Sequence, residues 1–125
     1  MHILTLPAVL VGAFAVSGSD EPNAVDMRSA VQATLTAQVQ SVLDYVAETG
    51  GEEALAQVRT ARTHEFDVRS VTKLDCTTSA DKPGHLCQFA VRVAVVSGEL
   101  QATMRGRFLA GPRGLVFVNE EREGA

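Results

Sequence analysis

The chain is poor in the residues on which aromatic cores and cysteine-rich sites depend. It has 125 residues, with no tryptophan, one tyrosine and two cysteines. Its apolar fraction is 46%, which is ordinary for a globular protein. A hydrophobic core is therefore expected, but Val, Leu, Ala and the five Phe must supply it.

Positive charge is scarce as well. Eleven Lys and Arg stand against fifteen Asp and Glu, which gives a formal net charge of −4. Proteins that bind nucleic acids generally need a clear excess of cations to neutralise phosphates. The composition therefore argues against nucleic acid as a partner.

The first 19 residues contain no Asp, Glu, Lys or Arg. Their apolar stretch, Ile3 to Val16, is shorter than the roughly 20 residues that a membrane-spanning helix needs. It resembles the apolar region of a secretory signal peptide, and the small residues that follow permit cleavage after Ala15 or Gly18. The basic start typical of such signals is missing, which leaves the first element of a cytosolic domain as the alternative.

We therefore predict a signal peptide over residues 1–18 and one domain over residues 19–125. The mature chain would be periplasmic or secreted, without a stable membrane span after cleavage.

Two helical patterns follow the apolar segment. The first is predicted from about Asn23 to Glu48, and Gly50 and Gly51 are expected to end it, because glycine readily adopts the left-handed cap conformation. A short second helix is predicted over residues 52–62, with acids in its first turn and arginines near its end. The apolar stripe of the long helix is Val31, Leu35, Val39, Val42, Leu43 and Val46.

After His64 the apolar period changes from helical spacing to two, which predicts four strands joined by short turns. Short turns make neighbouring strands antiparallel. The expected fold is α+β, with a long N-terminal helix and a short helix packed on a four-stranded antiparallel meander sheet. The residues predicted to face the helix are Phe66, Val68, Ser70, Thr72, Leu74 and Cys76, then Cys87, Phe89, Val91, Val93 and Val95, then Leu100, Ala102, Met104, Gly106 and Phe108.

The two cysteines lie near the facing ends of the first predicted hairpin. Cys76 and Cys87 share the inward side of their strands, where cross-strand Cβ atoms come close to disulfide distance. An exported chain meets oxidising conditions, so we predict a disulfide that closes the loop "TTSADKPGHL". A zinc site and a redox dithiol are weaker alternatives, since no C-x-x-C spacing is present. Two free thiols in a cytosolic protein are the remaining alternative.

The sequence offers no catalytic constellation. His64 and His85 lack an accompanying nucleophile motif, and no glycine-rich phosphate loop is present. We therefore predict no catalytic residue, no metal ligand and no cofactor.

The outward side of the predicted sheet is the most suggestive surface. Five cations share that side and could attract an anionic ligand or an acidic partner surface. The alternative is a solvated sheet face that charge keeps soluble. The candidate partner-binding residues are Arg69, Lys73, Arg92, Arg105 and Arg107.

The segment "KLDCTTSADKPGHLCQFAVRV" resembles small exported bacterial proteins of unknown function. The element order also resembles cystatin-like and NTF2-like folds, in which a long helix packs in the curve of an antiparallel sheet. The motif behind the resemblance is Cys76, Gly84, Cys87 and Phe89. The resemblance carries over no catalytic residue, because the chain lacks the additional elements and the polar pocket residues of NTF2-like enzymes. It does not imply protease inhibition, because the Q-x-V-x-G loop of cystatins is absent.

The expected function is a non-catalytic binding or interaction module, which contacts a partner protein or an anionic cell-envelope ligand through the basic face or the loop between the cysteines. The alternative is a small-molecule carrier or an enzyme with an NTF2-like pocket between helix and sheet. The two differ in whether a cavity of about 300 Å³ or more with convergent polar groups exists, and the nearly all aliphatic inward residues favour the interaction module. A homodimer with a structural role is a third hypothesis.

Overall fold

The computed structural model describes residues 21–120, so the predicted signal peptide lies outside the described residues. Within them the chain forms helix α1 (Ala24–Ala61) and strands β1 (Phe66–Ser79), β2 (Lys82–Val95), β3 (Gly98–Gly111) and β4 (Gly114–Asn119). The strands pair in sequence order as an antiparallel meander. The predicted α+β class and the four-stranded antiparallel sheet are therefore confirmed.

Helix α1 begins where the sequence predicts. The side chain of Asn23 accepts a hydrogen bond of 2.8 Å from the backbone N–H of Asp26, which caps the first turn. The prediction of a separate short helix is wrong. Gly51, with φ 73° and ψ −171°, kinks the helix, but residues on both sides of it belong to one 38-residue element. The helix ends at Arg62, which adopts the left-handed cap conformation.

The first hairpin is longer than predicted. β1 and β2 continue past the cysteines and pair as far as Ser79 and Lys82, which leaves a two-residue turn. The predicted loop between the cysteines is therefore mostly β-ladder. The pairing of the two strands continues, with a register shift between Thr77 and Ser79, through residues whose polarity had indicated a loop.

Strand β1 departs from strict alternation. Arg69 and Leu74 are extra residues without a register partner on β2, so β1 has a bulge at each of them. Between the two bulges the sides are reversed, and Val71 is buried although it was predicted to face outward. Leu74, the extra residue of the second bulge, is 56% exposed although it was predicted to face inward. Two single-residue bulges cancel, so Cys76 returns to its predicted side.

The core lies under the first third of α1. The rings of Phe89, Phe108 and Phe117 pack together with centroids 4.9 to 5.6 Å apart. Gly106 leaves room for this cluster, because a Cβ there would overlap the ring of Phe117. Most of the remaining core is aliphatic, as the composition requires: Met27, Ala30, Val31, Val68, Val71, Cys87 and Val91.

The helix also binds the backbone of both outer strands. The Gln32 side chain accepts a hydrogen bond of 2.7 Å from Val68 N–H, and Arg28 donates one of 3.2 Å to Val68 C=O. At the opposite edge of the sheet, the Thr34 hydroxyl donates a hydrogen bond of 2.8 Å to Phe117 C=O. These contacts fix α1 across one face of the sheet, between β1 and β4.

None of the helical structure within residues 21–120 combines the length and the apolar character that crossing a bilayer requires.

Candidate functional site: an apolar groove between helix and sheet

The cysteines form the predicted disulfide. Cys76 and Cys87 are direct register partners on β1 and β2, with Cα atoms 4.0 Å apart. The bond joins the two strands on the helix-facing side of the sheet, and Cys87 is completely buried. Among residues 21–120 no cluster of three or more His, Cys, Asp or Glu side chains is arranged to hold a metal ion.

Two of the five candidate cations lie on the surface in ion pairs. Arg92 contacts Glu99 at 3.1 Å, and Arg69 contacts Asp67 at 3.3 Å. All four side chains are at least 40% exposed, so each pair contributes at most about 1 kcal/mol to stability. The pairing matters more for binding, because each arginine already has an anionic neighbour.

Lys73 lies on the other side of the sheet from the one predicted. The bulge at Arg69 reverses the alternation, so Lys73 becomes the register partner of the buried Phe89. Its ammonium group contacts Glu21 at 3.0 Å and donates a hydrogen bond of 2.9 Å to Pro22 C=O. Lys73 therefore fastens the start of the helical segment to β1.

Arg107 lies on the predicted side but is only 6% exposed. Its guanidinium contacts Glu120 at 3.0 Å and donates a hydrogen bond of 3.3 Å to Pro83 C=O. Arg105, by contrast, is exposed and forms no side-chain ion pair with a described residue. The five candidates thus do not come together as one patch of free cations, and their role in partner binding stays a prediction.

The apolar stripe of α1 is buried for only part of its length. Val31 is fully buried and Leu35 packs beside the core, but Val42 is 60% exposed. The stripe was predicted to lie entirely across the sheet. Beyond Leu35 it instead forms one wall of a groove, because the buried contacts between helix and sheet end there.

The groove has a volume of about 500 Å³. The part of α1 beyond the kink contributes Val58, the link to β1 contributes Thr63 and His64, and the sheet contributes Phe66 and Val93. Its remaining lining comes from the helix before the kink: Leu35, Gln38, Val39, Val42, Leu43 and Val46. Small-molecule sites commonly have volumes of about 300 to 1,000 Å³ and mainly apolar walls.

Polar groups are few in this groove. Thr63 and His64 lie in the short link between α1 and β1, and Gln38 lies on the helix. The Nδ1 atom of His64 is buried and has no hydrogen-bond partner among the described residues. A buried polar atom left without a partner costs about 1 to 3 kcal/mol, so this nitrogen is an unusual feature of the groove.

Charges flank His64 but neutralise each other. Arg62 contacts Glu65 at 2.7 Å. The hydrogen bond from Arg62 holds the pKa of Glu65 below its usual value and raises the pKa of Arg62. Both groups therefore stay ionised at neutral pH and present a compensated pair beside the link.

Catalytic geometry is not assembled in the described part of the chain. Neither His64 nor His85 forms a side-chain hydrogen bond with a hydroxyl, a thiol or a carboxylate of residues 21–120. A nucleophile activated by histidine requires such a bond, although it is often long in the absence of substrate.

Comparison of the chain with protein-family models, with curated proteins and with solved structures found no match. The resemblance to cystatin-like and NTF2-like folds accordingly stays a prediction. Function must be argued from the groove itself.

Sequence reasoning missed the groove, although it identified most of its walls. The part of the stripe from Val39 to Val46 was predicted to lie against the sheet. The available signal was the Gly50–Gly51 pair, at which a change in helix direction could be expected.

Proposed function

We propose that the chain is a small exported binding domain whose ligand site is the groove between α1 and the sheet. The observation that carries the proposal is a cavity of about 500 Å³ that is lined mainly by aliphatic side chains. It lies within the range of about 300 to 1,000 Å³ that small-molecule sites commonly have, and its lining includes the polar side chains of Gln38, Thr63 and His64. The function is therefore non-catalytic binding of a small apolar molecule.

The disulfide supports the exported location. Disulfides persist in the periplasm and outside the cell but are rare in the cytosol. The Cys76–Cys87 bond closes a short loop and should stabilise the fold by about 3 kcal/mol where it stays oxidised.

Binding in the groove is tested with an uncharged fluorophore whose emission rises in apolar surroundings, such as N-phenyl-1-naphthylamine. We expect saturable binding to the mature chain. Val42→Asp should weaken it at least tenfold, because the exposed Val42 forms part of the wall and a carboxylate there is costly to desolvate.

Val25→Asp is the matched control. Val25 is a 69% exposed valine on the same helix, but it lies outside the groove. Equal losses in both variants, or no saturable binding to the unaltered chain, would contradict the proposal.

A further inference from the structure

His64 is the polar residue of the groove with an unmet hydrogen-bonding need. It lines the groove from the link between α1 and β1, and its buried Nδ1 has no partner among the described residues. In the observed orientation Nδ1 is shielded from solvent. A rotation of about 180° about the Cβ–Cγ bond would exchange Nδ1 with Cδ2, and the ring would offer its nitrogen to a ligand in this way. A ligand with a hydrogen-bonding group would relieve the cost of the unpaired nitrogen.

The groove lining also limits the charge of the ligand. It contains no Asp, Glu, Lys or Arg side chain. The nearest charged pair, Arg62 and Glu65, is already neutralised at 2.7 Å. A ligand with a full charge would give up its hydration without finding a partner of opposite sign, which is strongly unfavourable.

We infer that the groove selects an uncharged apolar ligand with one hydrogen-bonding group, such as a hydroxyl, and that His64 is the residue that recognises this group. The inference rests on the proposed function, because it names the ligand class of the same groove. The aliphatic walls bind the body of the ligand, and His64 binds its hydrogen-bonding group.

Competition against bound N-phenyl-1-naphthylamine tests the inference with three ten-carbon compounds at pH 7. These are 1-decanol, 1-fluorodecane, which lacks the hydroxyl, and decanoate, which is ionised. The unaltered chain should prefer 1-decanol about fivefold over 1-fluorodecane, since one hydrogen bond contributes about 1 kcal/mol. Decanoate should bind at least tenfold more weakly than 1-decanol.

His64→Phe should abolish the preference for 1-decanol over 1-fluorodecane. This preference is a ratio measured within one variant, so a change in overall affinity caused by the altered lining does not affect it. His64→Gln, which keeps a hydrogen-bonding group, should retain part of the preference. Thermal melting of both variants shows whether they fold. If His64→Phe does not fold, two other results test the inference: the preference measured for His64→Gln and the comparison of decanoate with 1-decanol.

The outcomes separate the inference from the proposed function. If decanoate binds as well as 1-decanol, or if the preference survives in His64→Phe, the inference is overturned while fluorophore binding still supports the groove. If the fluorophore does not bind, both fail. Sedimentation that shows a dimer dissociated by Val42→Asp would assign the groove to a second copy of the chain and would also overturn both.

Discussion

Single residues decide where charge and space are available in this molecule. Arg105 and Arg107 lie two positions apart on β3 and have the same chemistry, but one is exposed and the other is 6% exposed and paired with Glu120. Sequence alternation gives both the same side of the strand. It carries no information on whether a carboxylate from β4's end and a carbonyl from the first hairpin cover one of them.

A pair of substitutions measures this difference. Arg107→Gln should lower the free energy of unfolding by about 2 to 3 kcal/mol, because it leaves the largely buried Glu120 carboxylate without its partner. Arg105→Gln should change it by less than about 0.5 kcal/mol, as exposed positions generally do. Urea denaturation checks both values, and equal effects would show that Arg107 is not structural.

The same pair bears on the basic sheet face. If that face binds an acidic partner, Arg105 is its most available cation, because Arg69 and Arg92 already contact Asp67 and Glu99. A loss of partner binding in the stable Arg105→Gln variant would support the sequence-based interpretation.

At the scale of the elements, most of the fold could be predicted because its patterns are local. The alternation in β2, the turn residues and the cap at Asn23 each act over a few neighbours, so strand order, pairing and helix start followed from them. The bulges at Arg69 and Leu74 could not be predicted, since an extra residue in a ladder has no side-chain signature of its own.

The kink in α1 is another element-scale feature, and it depends on one glycine. Gly51 has φ 73° and ψ −171°, a combination that other residues adopt only at a cost of about 1 to 3 kcal/mol. We expect Gly51→Ala to destabilise the chain by an amount in that range, although open space surrounds the position. Thermal denaturation gives the value.

Ser41→Ala, an exposed position in the regular part of α1, serves as its control and should be neutral or slightly stabilising. Because Val58 beyond the kink lines the groove, Gly51→Ala should also weaken binding of the fluorophore. If Gly51→Ala left the stability unchanged, the kink would not require a residue with positive φ at position 51.

At the scale of the whole molecule, the groove could not be predicted from the sequence because it depends on where packing stops. Val31 and Val42 belong to one stripe with the same spacing, but the first is fully buried and the second is 60% exposed. That boundary is set by the position of the Phe cluster, and hence by contacts between residues that are far apart in the chain.

Export of the whole chain is a separate prediction. Mass spectrometry of protein recovered from the periplasm or the medium should find an amino terminus between Val16 and Ser19. Without reductant, Cys76 and Cys87 should resist thiol labelling, because they are joined in a disulfide. An exported chain that retains Met1 would contradict cleavage of the segment.

The contacts from Arg28 and Gln32 to Val68, and from Thr34 to Phe117, have a consequence for association between molecules. Each contact satisfies main-chain groups of an edge strand, which could otherwise pair with a strand of another copy. If α1 detached while the disulfide held the first hairpin together, both edge strands would become templates for cross-β growth. The helix therefore protects the protein against fibrillar assembly as well as covering its core.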